Sequence, residues 1–440
     1  MKKNILIYFL VFFLSLSSTV YKSFGQNNRI LKLSLANAVE MALNSSEDFQ
    51  IKNNTIDKTR FIYKAELSNA LPQIESEFSL YNNFQYPDIA ATTATRDFDA
   101  DAKIEVEQAL FTFGRISNAV RASLKTIKAS EYDRETARQE IIYNTKLAYY
   151  SLCLTKKVME IARESYQHAE KNKEILEMRS LNGRASKHDN LKIASDIASR
   201  KPTLNNAITD YYSAMETLKV MIDVDADIEL ELTEEFNSLS YPFDRNAMAW
   251  TLYNNQPAIK ALATEVEAKG QLVKAKKAEY YPEISAFASW SHKGSNNTCN
   301  LGNDSLRDYG IAGVKVEIPI WTGGETAAEL GKARIDKRNA ELEYRKGKEY
   351  YLLELNKALK EYNGYMKTLE ANNDAVKLSA ETFSLGQELF RAGQISITDL
   401  NDYELSLTNE KLNREFTLFN ISMILAKIER LTLWGGTDNE

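Results

Sequence analysis

Along four segments of the chain, apolar and polar residues alternate one by one, which is the pattern of a β-strand whose two faces meet different surroundings. The alternation begins near Ile74, Phe98, Ile284 and Ala312, and each stretch runs for about ten residues. A tilted strand needs about this length to cross a bilayer. The pattern predicts four strands, each with one apolar face and one face rich in charged and hydroxyl side chains.

A half-buried sheet of a soluble protein shows the same alternation, so a single strand would not decide between water and lipid. The flanking residues favour a membrane, because aromatic side chains gather at membrane interfaces. These aromatic residues are Phe84, Tyr86, Phe111, Phe113, Trp290 and Trp321. The polar stretches 87–96 and 292–307 are predicted to be loops outside the cell.

Outside these strands the apolar residues recur at helical spacing. Between Gly114 and Gly183 the chain has no glycine and no proline, and Ile141, Ala148 and Leu152 mark one apolar stripe. A helix over this whole stretch would be about 100 Å long. So narrow a stripe is typical of long helices packed side by side as in a coiled coil.

The same pattern occurs twice, 210 residues apart, as at Gly183 and Gly393 (393 − 183 = 210). Each copy reads helix, strand, loop, strand, very long helix, turn and helix. We predict a first repeat at residues 26–243 and a second at residues 244–440, joined by an acidic, irregular link from about Val224. Pro202 in the first returning helix predicts a kink or an interruption there.

Residues 1–25 are typical of a secretory signal peptide. Lys2 and Lys3 precede an apolar run from Ile5 to Leu16, and small and polar residues follow up to Gly25. The run is too short to span a bilayer. An ordinary buried N-terminal helix is the alternative. The mature chain is expected to leave the cytoplasm and to contain no membrane-spanning helix.

Composition and charge exclude several functions. The formal net charge is −6 without a basic cluster, which argues against nucleic-acid binding. The three histidines are scattered, and the chain has no phosphate-cradling glycine loop, nucleophile elbow or Cys-x-x-Cys pair. We therefore expect no enzyme, no metal and no cofactor. Cys153 and Cys299 are predicted to be unpaired thiols.

Four strands cannot close a barrel, and an open sheet edge in lipid would leave backbone groups unpaired at several kcal/mol each. The chain must then share its barrel with copies of itself. Two copies would give eight strands, with room only for side chains, whereas three would give twelve strands and an aqueous lumen. The strands therefore predict an oligomer and favour a trimer.

The chain resembles the TolC family of outer-membrane efflux proteins over nearly all of its mature length. The resemblance lies in the opening Leu33-Ser34-Leu35, in the Pro-x-Ile junctions at Pro72 and Pro282, and in the paired segments 108–115 and 318–324. It implies a homotrimer with a 12-stranded barrel in outer-membrane lipid and a long helical tunnel in the periplasm. It also implies a passive exit duct of a tripartite efflux or type I secretion system. The implied partners are a periplasmic adaptor and an inner-membrane transporter.

The two turns between the long helices should lie at the periplasmic tip. Each turn has a glycine where a helix stops and a serine three residues later that caps the next helix. In the family these tips close the tunnel and meet the adaptor. The resemblance assigns adaptor docking to Leu181, Gly183, Arg391, Gly393 and Gln394, although two ordinary tight turns would look the same.

The resemblance places the tunnel's aperture in the same region, at Asp189, Phe390, Ile395, Asp399 and Asp402. Asp189 and Asp399 each follow the capping serine by three residues, so a capping role alone would explain them. Asp402 has no capping role and shares a helix face with Asp399. Three subunits would bring six of these carboxylates together and favour cations.

The chain departs from the best-known family pattern in one of these turns. Some members latch neighbouring helices there with a tyrosine and an arginine, where this chain has Phe390 and Ile395. Apolar packing of these two side chains is the replacement we expect. Two other functions remain open at this point: a periplasmic coiled-coil adaptor without a pore, and an enzyme of the cell envelope.

Overall fold

The computed structural model describes residues 30–82, 98–181, 186–236, 241–296 and 306–435. The predicted signal peptide, the loop predicted at 87–96, Gly183 and Cys299 lie outside these ranges. Within them the chain is built from very long helices and one four-stranded sheet, as the sequence predicted.

The two halves contain corresponding helices in the same order, and these helices begin 210 residues apart, as at positions 115 and 325. The helices are α1 (Leu35–Ser45), α2 (Glu47–Ser68), α3 (Arg115–Leu181), α4 (Lys187–Met221), α5 (Arg245–Asn255), α6 (Pro257–Ala278), α7 (Glu325–Ala392) and α8 (Ile397–Thr432). The strands are β1 (Ile30–Leu33), β2 (Gln73–Asn82), β3 (Phe98–Phe111), β4 (Glu229–Leu232), β5 (Glu283–Asn296) and β6 (Leu306–Glu317). The division into repeats 26–243 and 244–440 stays a prediction.

Helices α3 and α7 have 67 and 68 residues, so each is about 100 Å long. They pack against the returning helices α4 and α8 respectively, and α3 also packs against α8. Apolar clusters lie along these contacts. Two of them contain Tyr149 and Leu355, and a third at the helix tips contains Phe390. None of the helices in the described ranges combines the length and apolar character needed to cross a membrane.

The four long strands form one antiparallel sheet in the order β2-β3-β5-β6. The register aligns Ile74, Val106, Ala288 and Ala312 across the sheet. Because side chains alternate along a strand, this row and the rows two residues away share one face. Within the described chain, β2 and β6 are the two edges of this sheet and pair on one side only.

The structure shows no interruption at Pro202, which was one of the two outcomes predicted there; the other, a kink, stays a prediction. Helix α4 runs without a break from Lys187 to Met221 with this proline inside it. A proline removes one backbone hydrogen bond, but the other turns of this 35-residue helix and its packing on α3 keep it continuous.

Two segments predicted to be irregular contain strands. Part of the link between the repeats forms β4, which pairs in parallel with β1. The loop predicted at 292–307 is shorter, because β5 continues to Asn296 and β6 begins at Leu306. In both cases backbone pairing with a distant strand overrides the polar local sequence.

Candidate functional site

The helix tip in the second repeat is a tight turn from α7 to α8. Gly393 ends α7 in the left-handed conformation, with φ of 83°, which favours glycine. The backbone N–H groups of Gly393 and Gln394 donate to the carbonyls of Phe390 and Leu389 at 3.0 and 2.9 Å. The turn thus satisfies the end of α7 and leaves Arg391 and Gln394 exposed.

Each returning helix begins with a reciprocal capping box. The Ser396 hydroxyl accepts from the backbone N–H of Asp399 at 3.2 Å, and the Asp399 carboxylate accepts from the Ser396 N–H at 3.1 Å. Ser186 and Asp189 make the same pair of bonds at the start of α4. The hydrogen bonds from the serine hydroxyl and backbone lower the pKa of Asp189 and Asp399 below the ordinary 3.8. Both aspartates therefore have a structural role in capping.

We expect these caps to fail in acid. A lowered folded-state pKa means that the carboxylate stabilises the helix start above pH 3.8 and loses this effect as the pH falls through the folded pKa. Hydrogen exchange of the first-turn amides of α8 should show unchanged protection from pH 7 down to about 5 and a loss below about 4. Replacing Ser396 by alanine should weaken the same turn at neutral pH by about 1 kcal/mol. Equal protection in this variant and the native chain at pH 7 would contradict the capping role.

Phe390 is packed inside the tip. It is only 1% exposed, and it lies in the apolar cluster with Leu176, Ile397 and Leu400, with Ile395 packed at its edge. The guanidinium of Arg179 lies 4.6 Å from the centre of the Phe390 ring. The same guanidinium donates a hydrogen bond to the Phe390 carbonyl. The last turn of α3 is thereby fixed to the last turn of α7.

Arg179 is a residue that the sequence reasoning missed. Its position in the last turn of α3 is a common one for a basic side chain, where it interacts favourably with the helix dipole. That local signal does not reveal a partner 211 residues away.

A second set of polar contacts joins the two hairpins further along the helices. Arg200 of α4 forms an ion pair with Glu404 of α8, whose side chain is only 3% exposed. The same guanidinium donates to the carbonyl and hydroxyl oxygens of Ser165 in α3 at 3.0 and 2.6 Å. One residue therefore connects three helices. Beside it, the Asn401 side chain donates to the carboxylate of Asp196.

The residues predicted for the aperture do not share one cavity. Asp189, Phe390 and Ile395 line a cavity of about 730 Å³ at the tip. Asp402 is exposed and lines a groove of about 700 Å³ between α3, α4 and α8. Asp399 is exposed at the start of α8. Leu181 is 89% exposed at the end of α3.

One face of the four-stranded sheet is apolar and the other is charged. On the apolar face, Ile74, Phe78 and Val314 are between 63% and 73% exposed. The other face bears carboxylates with nearby bases: Arg115 contacts Glu283 at 2.6 Å, and Lys315 lies 3.1 Å from Glu317. Large apolar side chains that a single chain leaves open to solvent indicate a lipid-facing surface.

Comparison with known families decides what this architecture is. The model of the family described as "Outer membrane efflux protein" matches residues 33–222 and 251–414. The chain belongs to this family. The efflux-protein match spans the first hairpin, all four long strands and the second hairpin as far as residue 414. The predicted resemblance is therefore confirmed, and so is the predicted location in the outer membrane with a long periplasmic portion.

Curated relatives of this efflux protein are distant in sequence. The pyoverdine export outer membrane protein OpmQ of Pseudomonas aeruginosa is 23% identical over 69% of this chain and 64% of its own length. The cation efflux system protein CusC of Escherichia coli strain K12 is 20% identical over 88% of this chain and 82% of its own length. The alignment thus spans less than two thirds of OpmQ.

Solved structures show the same fold. The crystal structure of CusC has a TM-score of 0.79 at 18% identity and covers 94% of this chain and 95% of its own. The Campylobacter jejuni CmeC outer membrane channel also has a TM-score of 0.79, at 17% identity over 90% of this chain and 85% of its own. The predicted fold class is confirmed by these likenesses.

The described part of the chain offers no group of three His, Cys, Asp or Glu side chains placed to hold a metal ion.

Cys153 is a free, buried thiol whose burial raises its pKa to about 12. It donates to the Glu234 carbonyl at 3.6 Å.

Proposed function

We propose that this efflux protein is the passive outer-membrane exit duct of a tripartite efflux or type I secretion system. One observation carries the proposal: a four-stranded sheet with an exposed apolar face and a charged face continues directly into helices about 100 Å long. The sheet suits a wall between lipid and water, and the helices suit a tunnel wall.

The duct is a homotrimer in this proposal. Edge strand β6 of one copy pairs with edge strand β2 of the next, so that three copies close a barrel of twelve strands. Outer-membrane lipid then covers the apolar face with Ile74 and Val314, and the carboxylates line the lumen.

The periplasmic tips form the gate. We assign the aperture to Asp189, Phe390, Ile395, Asp399 and Asp402, as the resemblance implied. Of the three aspartates, Asp402 is the one whose carboxylate has no capping role. The closed state is held by Arg179 on Phe390 and by the Arg200–Glu404 pair, which replace the tyrosine and arginine of other members.

A periplasmic adaptor docks on the tips in this proposal and connects the duct to an inner-membrane transporter. Leu181, Arg391 and Gln394 support this because they project from the turns, as does the backbone at Gly393. Gly183, assigned with them, lies outside the described residues.

The relatives are named for different cargoes, pyoverdine for OpmQ and cations for CusC, so we propose that the transporter selects the cargo.

Single-channel recording in planar bilayers tests the proposal. Purified native protein should give small, cation-preferring openings. The Asp399→Ala, Asp402→Ala double variant should change their size or selectivity, because the carboxylates stabilise passing cations. Asp374→Ala, an exposed carboxylate on α7 outside both cavities, is the matched control.

The possible outcomes separate the duct from its gate. Channels that are identical in native and double-variant protein would keep the duct and remove the aperture assignment. A folded protein that forms no channels would favour the non-pore adaptor instead.

A further inference from the structure

Two helix ends next to the sheet are basic, although the chain as a whole is acidic. Helix α3 follows β3 and helix α6 precedes β5, so these ends lie side by side beneath the two central strands of the sheet. Residues 115–130 of α3 contain four Lys or Arg and no Asp or Glu. Residues 268–278 of α6 contain four Lys and no Asp or Glu. The formal net charge of the chain is −6, so positive charge is concentrated at this level of the molecule.

Five of these bases lie on one side of the helix layer. Lys125 contacts Glu267 of α6 at 2.6 Å, so these two side chains share a side. On α3 the residues four before and three after Lys125 are its neighbours on the same face. On α6, Lys274 follows Glu267 by two helical turns, and the residue three further on is its neighbour. We call these bases the basic patch: Arg121, Lys125, Lys128, Lys274 and Lys277.

The side with the basic patch continues into the apolar face of the sheet. Phe111 pairs with Ile284 on that face. The ring of Phe113 contacts Phe111 edge-on, with 4.6 Å between centroids, and Tyr281 stacks on Phe113 at 5.3 Å. Tyr281 lies two helical turns beyond Lys274 and therefore on the same side of α6. A row of aromatic rings thus connects the apolar face to the basic patch.

The other side of α3 leads to the charged face of the sheet. Arg115 contacts Glu283, which belongs to that face, at 2.6 Å. Arg121 follows Arg115 by six residues, which corresponds to about 240° around an α-helix. The basic patch and the charged face therefore lie on different sides of the wall.

The depth of the basic patch matches that of lipid headgroups. Exposed aromatic rings such as Phe113 and Tyr281 gather at the boundary between hydrocarbon and headgroups. Lys277 and Lys274 precede Tyr281 by four and seven residues, or about 6 and 10 Å along the helix. The headgroup layer of one leaflet is about 5–8 Å thick. Long lysine side chains from these positions reach that layer.

Most of the basic patch is available to a ligand. Arg121, Lys128, Lys274 and Lys277 are exposed, and no carboxylate of the described residues lies within ion-pair distance of them. Lys125 is the member paired with a carboxylate. Each copy of the chain therefore presents a cluster of uncompensated positive charge beside its apolar face.

We propose that the basic patch binds anionic phospholipid, of the phosphatidylglycerol class, in the periplasmic leaflet of the outer membrane. The inference rests on the proposed function, which puts the apolar face in lipid, and it adds a lipid class to that contact. Clustered bases beside a bilayer attract anionic headgroups. A zwitterionic phospholipid carries no net charge and binds less well.

Native mass spectrometry of the detergent-solubilised protein tests this. Phosphatidylglycerol and phosphatidylethanolamine with identical acyl chains are offered at equal concentration. We expect the occupancy by phosphatidylglycerol to be about threefold higher or more. The preference should decrease when ammonium acetate is raised from about 0.1 M to about 0.5 M, because salt screens exposed charges.

The variant Arg121→Gln, Lys274→Gln, Lys277→Gln removes three bases of the patch. It should raise the Kd of phosphatidylglycerol about tenfold, because the headgroup loses its charge partners, and should leave the Kd of phosphatidylethanolamine near the native value. Melting temperature and trimer content verify that the variant is folded.

The matched control removes the same charge far from the sheet. Lys360→Gln, Lys367→Gln, Lys377→Gln replaces three exposed bases of α7. The first of them lies about 50 Å from the start of α7, which is the end next to the sheet. Both Kd values should stay unchanged in this variant.

Three results would overturn the lipid contact: equal occupancy by both lipids, an unchanged Kd in the patch variant, or the same loss in the control variant. Displacement of phosphatidylglycerol by inorganic phosphate at equal concentration would also overturn it, by assigning the bases to a free anion. Channel recording on the same preparations separates the two proposals. Conducting channels without a lipid preference would remove the lipid contact and keep the duct, whereas folded protein that neither conducts nor binds lipid would remove both.

Discussion

Replacing Glu404 by alanine is expected to loosen α8 from α3 and α4 and to open the tip more often. Arg200 would keep its charge between three helices with only Ser165 as a partner. Removing one member of a buried ion pair costs about 3–5 kcal/mol. If that energy favours the closed tip, its loss shifts the closed-to-open ratio by roughly a hundredfold or more. Single-channel recordings should show a larger mean conductance than in the native protein.

Two further variants make this test specific. Lys411 of α8 contacts Glu164 of α3 at 2.7 Å, and both side chains are substantially exposed. Glu164→Ala should change little, because exposed pairs contribute about 1 kcal/mol or less. Arg200→Met with Glu404→Met removes both charges and should restore closure, since an apolar pair often replaces a buried ion pair without loss. Equal conductance in Glu404→Ala and Glu164→Ala would contradict the tethering role.

Replacing Val314 by lysine is expected to prevent most of the protein from reaching the outer membrane as folded trimer. Val314 is 63% exposed on the apolar face of β6. A lysine facing lipid costs about 2–4 kcal/mol at the bilayer midplane and less toward the interfaces, and Val314 lies three residues from the end of β6. A trimer would carry this cost three times. The measurement is the amount of heat-modifiable trimer in isolated outer membranes, detected on unheated and boiled gel samples.

Ile311 provides the matched control on the same strand. It pairs with Ser289, which pairs with Glu105, so its side chain lies on the charged face. Ile311→Lys exchanges an apolar residue for the same lysine three positions away and should leave trimer yield near the native level. Similar losses in both variants would show that the assignment of lipid and lumen faces is wrong.

Much of the fold was predictable because it depends on local periodicity. A repeat of two residues predicts a strand and a repeat near 3.6 predicts a helix, whatever lies elsewhere in the chain. The starts of the returning helices were also predictable from the sequence, because a serine followed three residues later by an aspartate is a local capping signal. The structure shows this capping box at Ser186 and Ser396.

What the sequence did not show is where distant pairing overrides local preference. Strand β4 in the acidic link forms because β1 lies beside it in parallel. The helix through Pro202 continues because its neighbours hold it. Neither contact has a signature within ten residues of the segment it affects.

The sequence by itself determined the two-copy architecture, the four strands with unlike faces, the long helices and the capped turns. Only the tertiary structure decided how the two tips are held together. The internal repeat suggests equivalent hairpins, but Arg200 corresponds to Glu410 and Glu404 to Ala194, so their ion pair occurs once. Such contacts join residues about 200 positions apart, and their energy depends on burial between helices, which no local pattern records.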